Sequence, residues 1–224
     1  MLQNKTLEFL KDLKKNNHKE WFEANRKRYE AAKEDFANLI DDLIKKHTKS
    51  DATLAELTVK DCTFRINRDI RFSKDKTPYK TNFGASLNKS KKKGHFAGYY
   101  FHFEPGNNSF AGGGIWMPEA DIVKKIRQEI DYNWAEFKGM INNKKFIKEF
   151  GDLDKSAEAT LVREPKGYEK ENPAIEYLKL KSWVALKPIT DEDLTSKDLS
   201  KKILSAFDAL QPMVYFLNRV FDEV

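Results

Sequence analysis

Apolar residues recur with helical spacing through the first 47 residues of the chain. Leu2, Thr6, Phe9, Leu10 and Leu13 mark a helix over about residues 3 to 14. Asn17, with Glu20 three residues on, reads as the capped start of a second, long helix whose core stripe is Trp21, Asn25, Tyr29, Ala32, Phe36, Leu39 and Leu43. The period then changes from 3.6 to 2. Residues 62 to 72 alternate as a strand, "NFGASLN" (82–88) reads as a shorter one, and "FAGYYFHFE" and "SFAGGGIW" flank the turn "PGNN" as a hairpin. A four-residue loop there sets Glu104 opposite Ser109, His102 opposite Ala111 and Tyr100 opposite Gly113. Past Pro118, Ile122, Ile126 and Ile130 share a helix face behind leading acids, and further helical pieces surround Trp134, Phe137, Ile141, Phe146 and Phe150. "SWVALKPI" (182–189) reads as a strand, and a closing helix should bend or divide at Pro212. This order predicts an α+β fold: a central antiparallel sheet with the long N-terminal helix and the C-terminal helices packed on it. No repeat and no linker tract interrupts it, so residues 1–224 read as one domain.

Composition allows that fold and narrows the chemistry. With 224 residues, 40% of them hydrophobic and 12% aromatic, the chain can fill a sizeable core. No run approaches the roughly 18 apolar residues of a membrane span. The amphipathic start lacks the apolar stretch of a signal peptide, so the expectation is a cytoplasmic protein with no membrane partner. Cys62 is the single cysteine, which excludes an internal disulfide and fits a reducing compartment; it reads as a small buried hydrophobe rather than a catalytic thiol. His18, His47, His95 and His102 form no HxH or HExxH and have no cysteine pair beside them, so no metal is expected. There is likewise no GxSxG elbow, and "GGGIWMP" matches neither GxGxxG nor GxxxxGK, so no cofactor is expected.

Charge changes the picture more. The net charge is +6, but residues 65–93 hold ten Lys or Arg against two Asp, which leaves −2 for the rest. Such a segment attracts phosphates, carboxylates or nucleic acid. "NKSKKKG" (88–94) reads as a solvated loop. In "FRINRDIRFSKDKTPYK" (64–80), alternation puts Phe64, Ile66, Arg68, Ile70 and Phe72 on one face and Arg65, Asn67, Asp69 and Arg71 on the other. Arg68 is out of phase and reads as a structural group with a carboxylate partner, or as a bulge. Arg65 and Arg71 stand about 20 Å apart along an extended strand, too far for one phosphate without a bend. Pro78 biases Thr77 to extended backbone and so orders a loop carrying Lys76, Tyr79 and Lys80. Arg71, Lys76 and Lys80 then make one clamp for a carboxylate or phosphate, or else Asp69 and Asp75 satisfy them in a surface network.

Four stretches in order, "NNHKEWFEANRKRYE", "RDIRFSKDKTPYKTNFGA", "GGGIWMPEADIVKKIRQEI" and "PKGYEKENPAIEYLKLKSW", resemble the DUF2461 family. The resemblance spans nearly the whole chain. Its most specific element is Arg71-Phe72-Ser73-Lys74-Asp75-Lys76 followed by Pro78-Tyr79-Lys80. It implies one α+β domain and a set of signature positions, but no reaction.

The hairpin supplies the remaining candidates. Tyr100, His102 and Glu104 share a strand face opposite small residues, Gly113 among them, which leaves room for a ligand beside a histidine able to move a proton near neutral pH. His102 is the one candidate for catalysis, against the alternative of a satisfied sheet histidine. Three functions stay open. The first is binding of an anionic, carboxylate- or phosphate-bearing small molecule by Arg65, Arg71, Lys76, Tyr79, Lys80, Tyr100 and Gly113. The second is nucleic-acid binding through strand 65–71, loop 89–93 and the hairpin aromatics. The third is a protein-interaction domain with no ligand. The first is preferred because its cations lie in a Pro-ordered loop.

Overall fold

A computed structural model describes residues 1–91 and 95–221. Helix α1 (Asn4–Lys15) buries Thr6, Phe9, Leu10 and Leu13, as its spacing predicts, and Leu7 besides. The expected long helix is broken. It forms a short α2 (Lys19–Ala24) and a 22-residue α3 (Arg26–His47), with Asn25 between them at φ −108°, ψ 16°. The Asn25 side chain turns back to donate to the Trp21 carbonyl (2.9 Å), a local bond that competes with helix continuation. The α2 cap is His18, whose ring accepts the Trp21 N–H. Asn17 instead pairs with a distant backbone: it donates to the Tyr79 carbonyl (2.9 Å) and accepts the Tyr79 N–H (3.1 Å).

Residues 62–72 are not a strand. A short α4 (Val59–Cys62) leads into extended chain held by two isolated bridges, Thr63 to Ala85 and Asn67 to Tyr79. Arg68 is the cause. Its guanidinium donates to the carboxylate of Asp75 and the hydroxyl of Thr77, and reaches Ser73 Oγ at 3.3 Å. The backbone bonds from Arg68 N–H to Pro78 (2.9 Å) and from Lys80 N–H to Ile66 (2.8 Å) close the neck of a wide loop around that side chain. The structural partner expected for Arg68 is therefore Asp75, and the alternation fails beyond it: Phe72 is 93% exposed.

Four strands, β1 (Phe83–Leu87), β2 (Gly98–Phe103), β3 (Ser109–Ile115) and β4 (Trp183–Ile189), form one antiparallel sheet in the order β1-β2-β3-β4. The β2–β3 register is one residue from expectation: His102 pairs with Phe110, Tyr100 with Gly112 and Tyr99 with Gly113. The loop has five residues, Glu104 to Asn108, rather than four. Gly106 and Asn107 both adopt positive φ, 92° and 61°, and aim their N–H groups at the Asp191 carboxylate (2.9 and 3.0 Å). Side chains alternate along a strand, so this slip moves Gly113 to the face opposite Tyr100.

The inner face, with Phe83, Ala85, Leu87, Tyr99, Phe101, Phe103, Ala111 and Trp183, is buried under α3 and α10 (Leu199–Asn218). Phe36 of α3 stacks near Phe83 (5.3 Å) and Phe101 (6.1 Å), while Phe207 of α10 meets Tyr99 at 5.1 Å. Each such ring contributes about 2–3 kcal/mol of burial. Helix α10 continues through Pro212 undivided. Helices α5 (Ala120–Tyr132), α6 (Trp134–Ile141), α7 (Lys144–Phe150), α8 (Ile175–Leu178) and α9 (Asp191–Thr195) complete the chain. Among the described residues no helix is long and apolar enough to cross a membrane.

One buried group here carries a pH dependence. The His47 ring lies edge-on to Tyr99 (4.3 Å) and beside Phe207; its Nδ1 is 3.2 Å from Asp208 Oδ1 but out of hydrogen-bonding line, so among the described residues neither ring nitrogen has a hydrogen-bond partner. Burial pushes the imidazole below its ordinary 6.5, outweighing the opposite pull of Asp208 and Asp51. A folded value below the unfolded one means that the unfolded chain takes up the extra proton. The stability tied to neutral His47 is complete above pH 6.5 and lost as pH falls through the lowered folded value. His47→Met should stay within about 1.5 kcal/mol of the parent at pH 8 and lose stability less steeply just below pH 6.5. A denaturant series giving parallel acid slopes for both proteins would disprove this.

Candidate functional site

The outer face of the sheet is the place where the hairpin candidates gather. Gly84, Tyr100, His102, Phe110, Leu186 and Val184 point away from the helices, as the observed pairings require. All of these but Gly84 floor a groove of about 670 Å³. Phe64, with Lys80 over its ring, lies on the β1 side, where its N–H bonds the Gly84 carbonyl (3.1 Å), and Asp154 lies on the β4 side, where its N–H bonds the Val184 carbonyl (2.8 Å); His95, Phe96 and the Trp116–Pro118 turn also line the groove.

From that floor a line of three side chains runs outward, Tyr100 and His102 of β2 and then Glu104, the first residue of the following loop. The Glu104 Oε2 lies 3.3 Å from His102 Nε2, and the Tyr100 hydroxyl lies 3.4 Å from His102 Nδ1. The Asn82 side-chain nitrogen also approaches Nδ1 at 3.4 Å. A carboxylate on one ring nitrogen and two donors on the other assign the proton to Nε2 in the neutral ring. Phe110 stacks on the imidazole at 4.8 Å and 6°, which fixes its plane. The Tyr100 ring lies across Gly84, where a Cβ would come within 2.5 Å of its hydroxyl, and burial raises its pKa. Such a chain can pass a proton between a group resting on Tyr100 and the Glu104 carboxylate. Glu104 is itself held by Thr81 (3.3 Å) and Lys14 (3.6 Å).

The sequence-derived cations do not converge. Arg71 is bound to Asp69 by two bonds (2.9 and 2.7 Å), and Lys76 donates to the Ile70 carbonyl (2.9 Å), both on exposed chain. Asp75 is held at about 2 by the Thr77 N–H and the Arg68 guanidinium. The expected network therefore forms only in part: Asp69 takes Arg71 and Asp75 takes Arg68, among the described residues neither takes Lys76 or Lys80, and the three cations of the clamp do not meet. Tyr79 faces the other way. It stacks on Phe22 at 3.9 Å and lines a separate 480 Å³ cavity, whose Arg26 and Lys33 are paired with Glu23 and Glu30. Gly113 borders the groove, but from the strand's other face.

Lys80 alone of the loop cations reaches the groove. Its side chain sits over the Phe64 ring (5.5 Å), half-buried, and its ammonium has no hydrogen bond or ion pair among the described residues. Burial first, and then the charge of Arg65, lowers its pKa. Arg65 also makes no ion pair among the described residues, though its field reaches Asp69.

Sequence reasoning placed Glu104 on the His102 face but did not join the two, and it missed Asn82 beside His102 and Phe110, Trp116 and Asp154 as groove residues. Of the aromatics proposed to stack bases, Tyr99, Phe101 and Phe103 are buried, whereas Tyr100 and Phe110 remain on the open face. Lys92, Lys93 and Gly94 of the lysine loop lie outside the described residues. Among the described residues no group of three or more His, Cys, Asp or Glu is arranged to hold a metal ion.

A family model described as "Conserved hypothetical protein (DUF2461)" matches residues 5–216. Neither the curated proteins nor the solved structures include a match.

Proposed function

Because the chain belongs to the DUF2461 family over nearly its whole length, and that membership brings no reaction with it, we propose a function from the groove itself: it binds a small ligand that has an apolar body and a carboxylate or phosphate group. The observation that carries this reading is Lys80, a cation in the groove wall with no acceptor of its own among the described residues and a second unpaired cation, Arg65, beside it. A ligand anion supplies the missing acceptor. The rings of Phe64 and Phe110 and the side chain of Leu186 offer apolar cover to the rest of the ligand. A ligand hydroxyl or carbonyl lying on Tyr100 would meet the proton path to Glu104.

The test is a binding titration with aromatic carboxylates, nucleoside monophosphates and a short RNA, run on the parent protein, Lys80→Met and Arg71→Ala. A charge-assisted bond at a half-buried site is worth about 1.5 kcal/mol, so Lys80→Met should weaken the best monoanion about tenfold. Arg71→Ala should leave it unchanged, because Arg71 is spent on Asp69. Equal affinity in the parent and Lys80→Met sinks the proposal. Binding confined to RNA, with a steep salt dependence, would replace it by the nucleic-acid reading.

A further inference from the structure

The far end of the groove carries a charge of the opposite sign. Asp154 lies there beside β4, anchored by its N–H to the Val184 carbonyl (2.8 Å). Its Oδ1 accepts the N–H of Ser156 (2.9 Å), and no cation among the described residues pairs with the carboxylate. The neighbouring Lys155 is committed elsewhere, to Asp152 (2.7 Å) and Glu176 (3.0 Å). The groove lining also holds Trp116, 69% exposed, and Met117. That turn is held in place: Met117 adopts φ 43° and gives its N–H to Ser182 Oγ at 2.8 Å. A carboxylate without a cation among the described residues and an exposed indole in the same groove lining are the chemistry that receives an ammonium group.

Lys80 stands at the β1 side and Asp154 at the β4 side of a sheet ordered β1-β2-β3-β4. Three strand spacings separate these edges, about 14 Å. The floor between them is uncharged, with Phe110 and Leu186 at its centre.

We infer that the groove's ligand is dipolar: an extended molecule with an anionic group at Lys80, an ammonium group at Asp154 and Trp116, and an uncharged body between. A free peptide of about four residues has this form, since extended chain advances about 3.5 Å per residue. Its carboxylate would meet Lys80 and its amine would meet Asp154. The Lys80 half of the inference rests on the anion-binding reading; the Asp154 half rests on the unpaired carboxylate and the exposed indole.

The experiment is calorimetric titration of the tetrapeptide Ala-Phe-Leu-Ala in free, N-acetylated and C-amidated forms. Each partly exposed charge contact is worth up to about 1 kcal/mol, so acetylation and amidation should each weaken binding to the parent about fivefold. In Asp154→Asn the effect of acetylation should vanish while that of amidation stays. In Lys80→Met the pattern should reverse. Equal binding of free and acetylated peptides with a surviving effect of amidation overturns the dipolar ligand and leaves the anion reading standing. No binding of the free peptide also overturns the dipolar ligand. The anion reading falls separately, if amidation has no effect and Lys80→Met retains full affinity for monoanions.

Discussion

Gly114→Ala is expected to destabilise the protein by about 4 kcal/mol and to lower its unfolding midpoint by about 10 °C. Gly114 sits in β3 between Gly98 of β2 and Val184 of β4, so backbone flanks it on both sides. Its φ is 116°, which an L side chain rarely adopts, and an added Cβ would stand 2.0 Å from the Trp183 carbonyl oxygen. Neither neighbour can give way without opening the ladder that holds β3 to β4. Gly84→Ala is the informative contrast. There the added Cβ meets only the far end of the Tyr100 side chain, at 2.5 Å, and the phenol can swing aside. Thermal unfolding should therefore separate the two variants, with Gly84→Ala close to the parent and Gly114→Ala far below it. A Gly114→Ala protein melting within about 2 °C of the parent would show that the β3–β4 ladder tolerates the methyl group.

What the sequence disclosed and what it hid divide along the range of the interactions involved. Helix α1, strands β1 and β4, the β2–β3 hairpin and α10 follow from periodicity within each segment, and the structure contains them all. The break at Asn25, the hairpin register and the loop around Arg68 depend on particular bonds. Asp191 accepts from Gly106 and Asn107 across 85 and 84 positions, and Asn17 clasps Tyr79 across 62. No local pattern announces such partners. The candidate site divides in the same way. Alternation placed Tyr100, His102 and Glu104 on one face, which the structure retains, because a strand's two-residue period survives a register slip. The clamp failed because Arg71 and Lys76 found acceptors within six residues of themselves, Asp69 and the Ile70 carbonyl. Asp154 and Trp116 lie outside regular secondary structure and carry no periodic signature, so only the folded sheet brings them to the groove.

Asp51→Ala is expected to destabilise the protein at pH 7 by about 4 kcal/mol, because it removes the acceptor at the centre of a buried polar cluster. Asp51 is fully enclosed and receives the hydroxyls of Tyr99 (2.7 Å), Tyr215 (2.9 Å) and Thr53 (2.6 Å) as well as the Thr53 N–H (3.0 Å). Burial would raise its pKa, but the bonds from Thr53, Tyr99 and Tyr215 outweigh it and leave the carboxyl below the ordinary 3.8. Tyr99 is the deepest of these donors; burial, and then its bond to Asp51, push its phenol far above 10, so it stays protonated as the donor. In Asp51→Ala that hydroxyl is left unpaired beside Phe207, at the cost of a stranded polar group. Tyr99→Phe takes one of the four bonds and should cost about 2 kcal/mol. The pH dependence has a definite sign. A folded value below 3.8 means the unfolded chain protonates first, so this stability is complete above pH 3.8 and lost as pH falls through the depressed folded value. His47 loses its share from pH 6.5 downward, so the two acid limbs separate on the pH axis. Urea unfolding of the parent between pH 2 and 8 should show both, and in Asp51→Ala the limb below pH 3.8 should shrink while the higher one persists. Should Asp51→Ala remain within 1 kcal/mol of the parent at pH 7 and keep the whole lower limb, the cluster supplies no net stability and the acid sensitivity lies with other carboxylates.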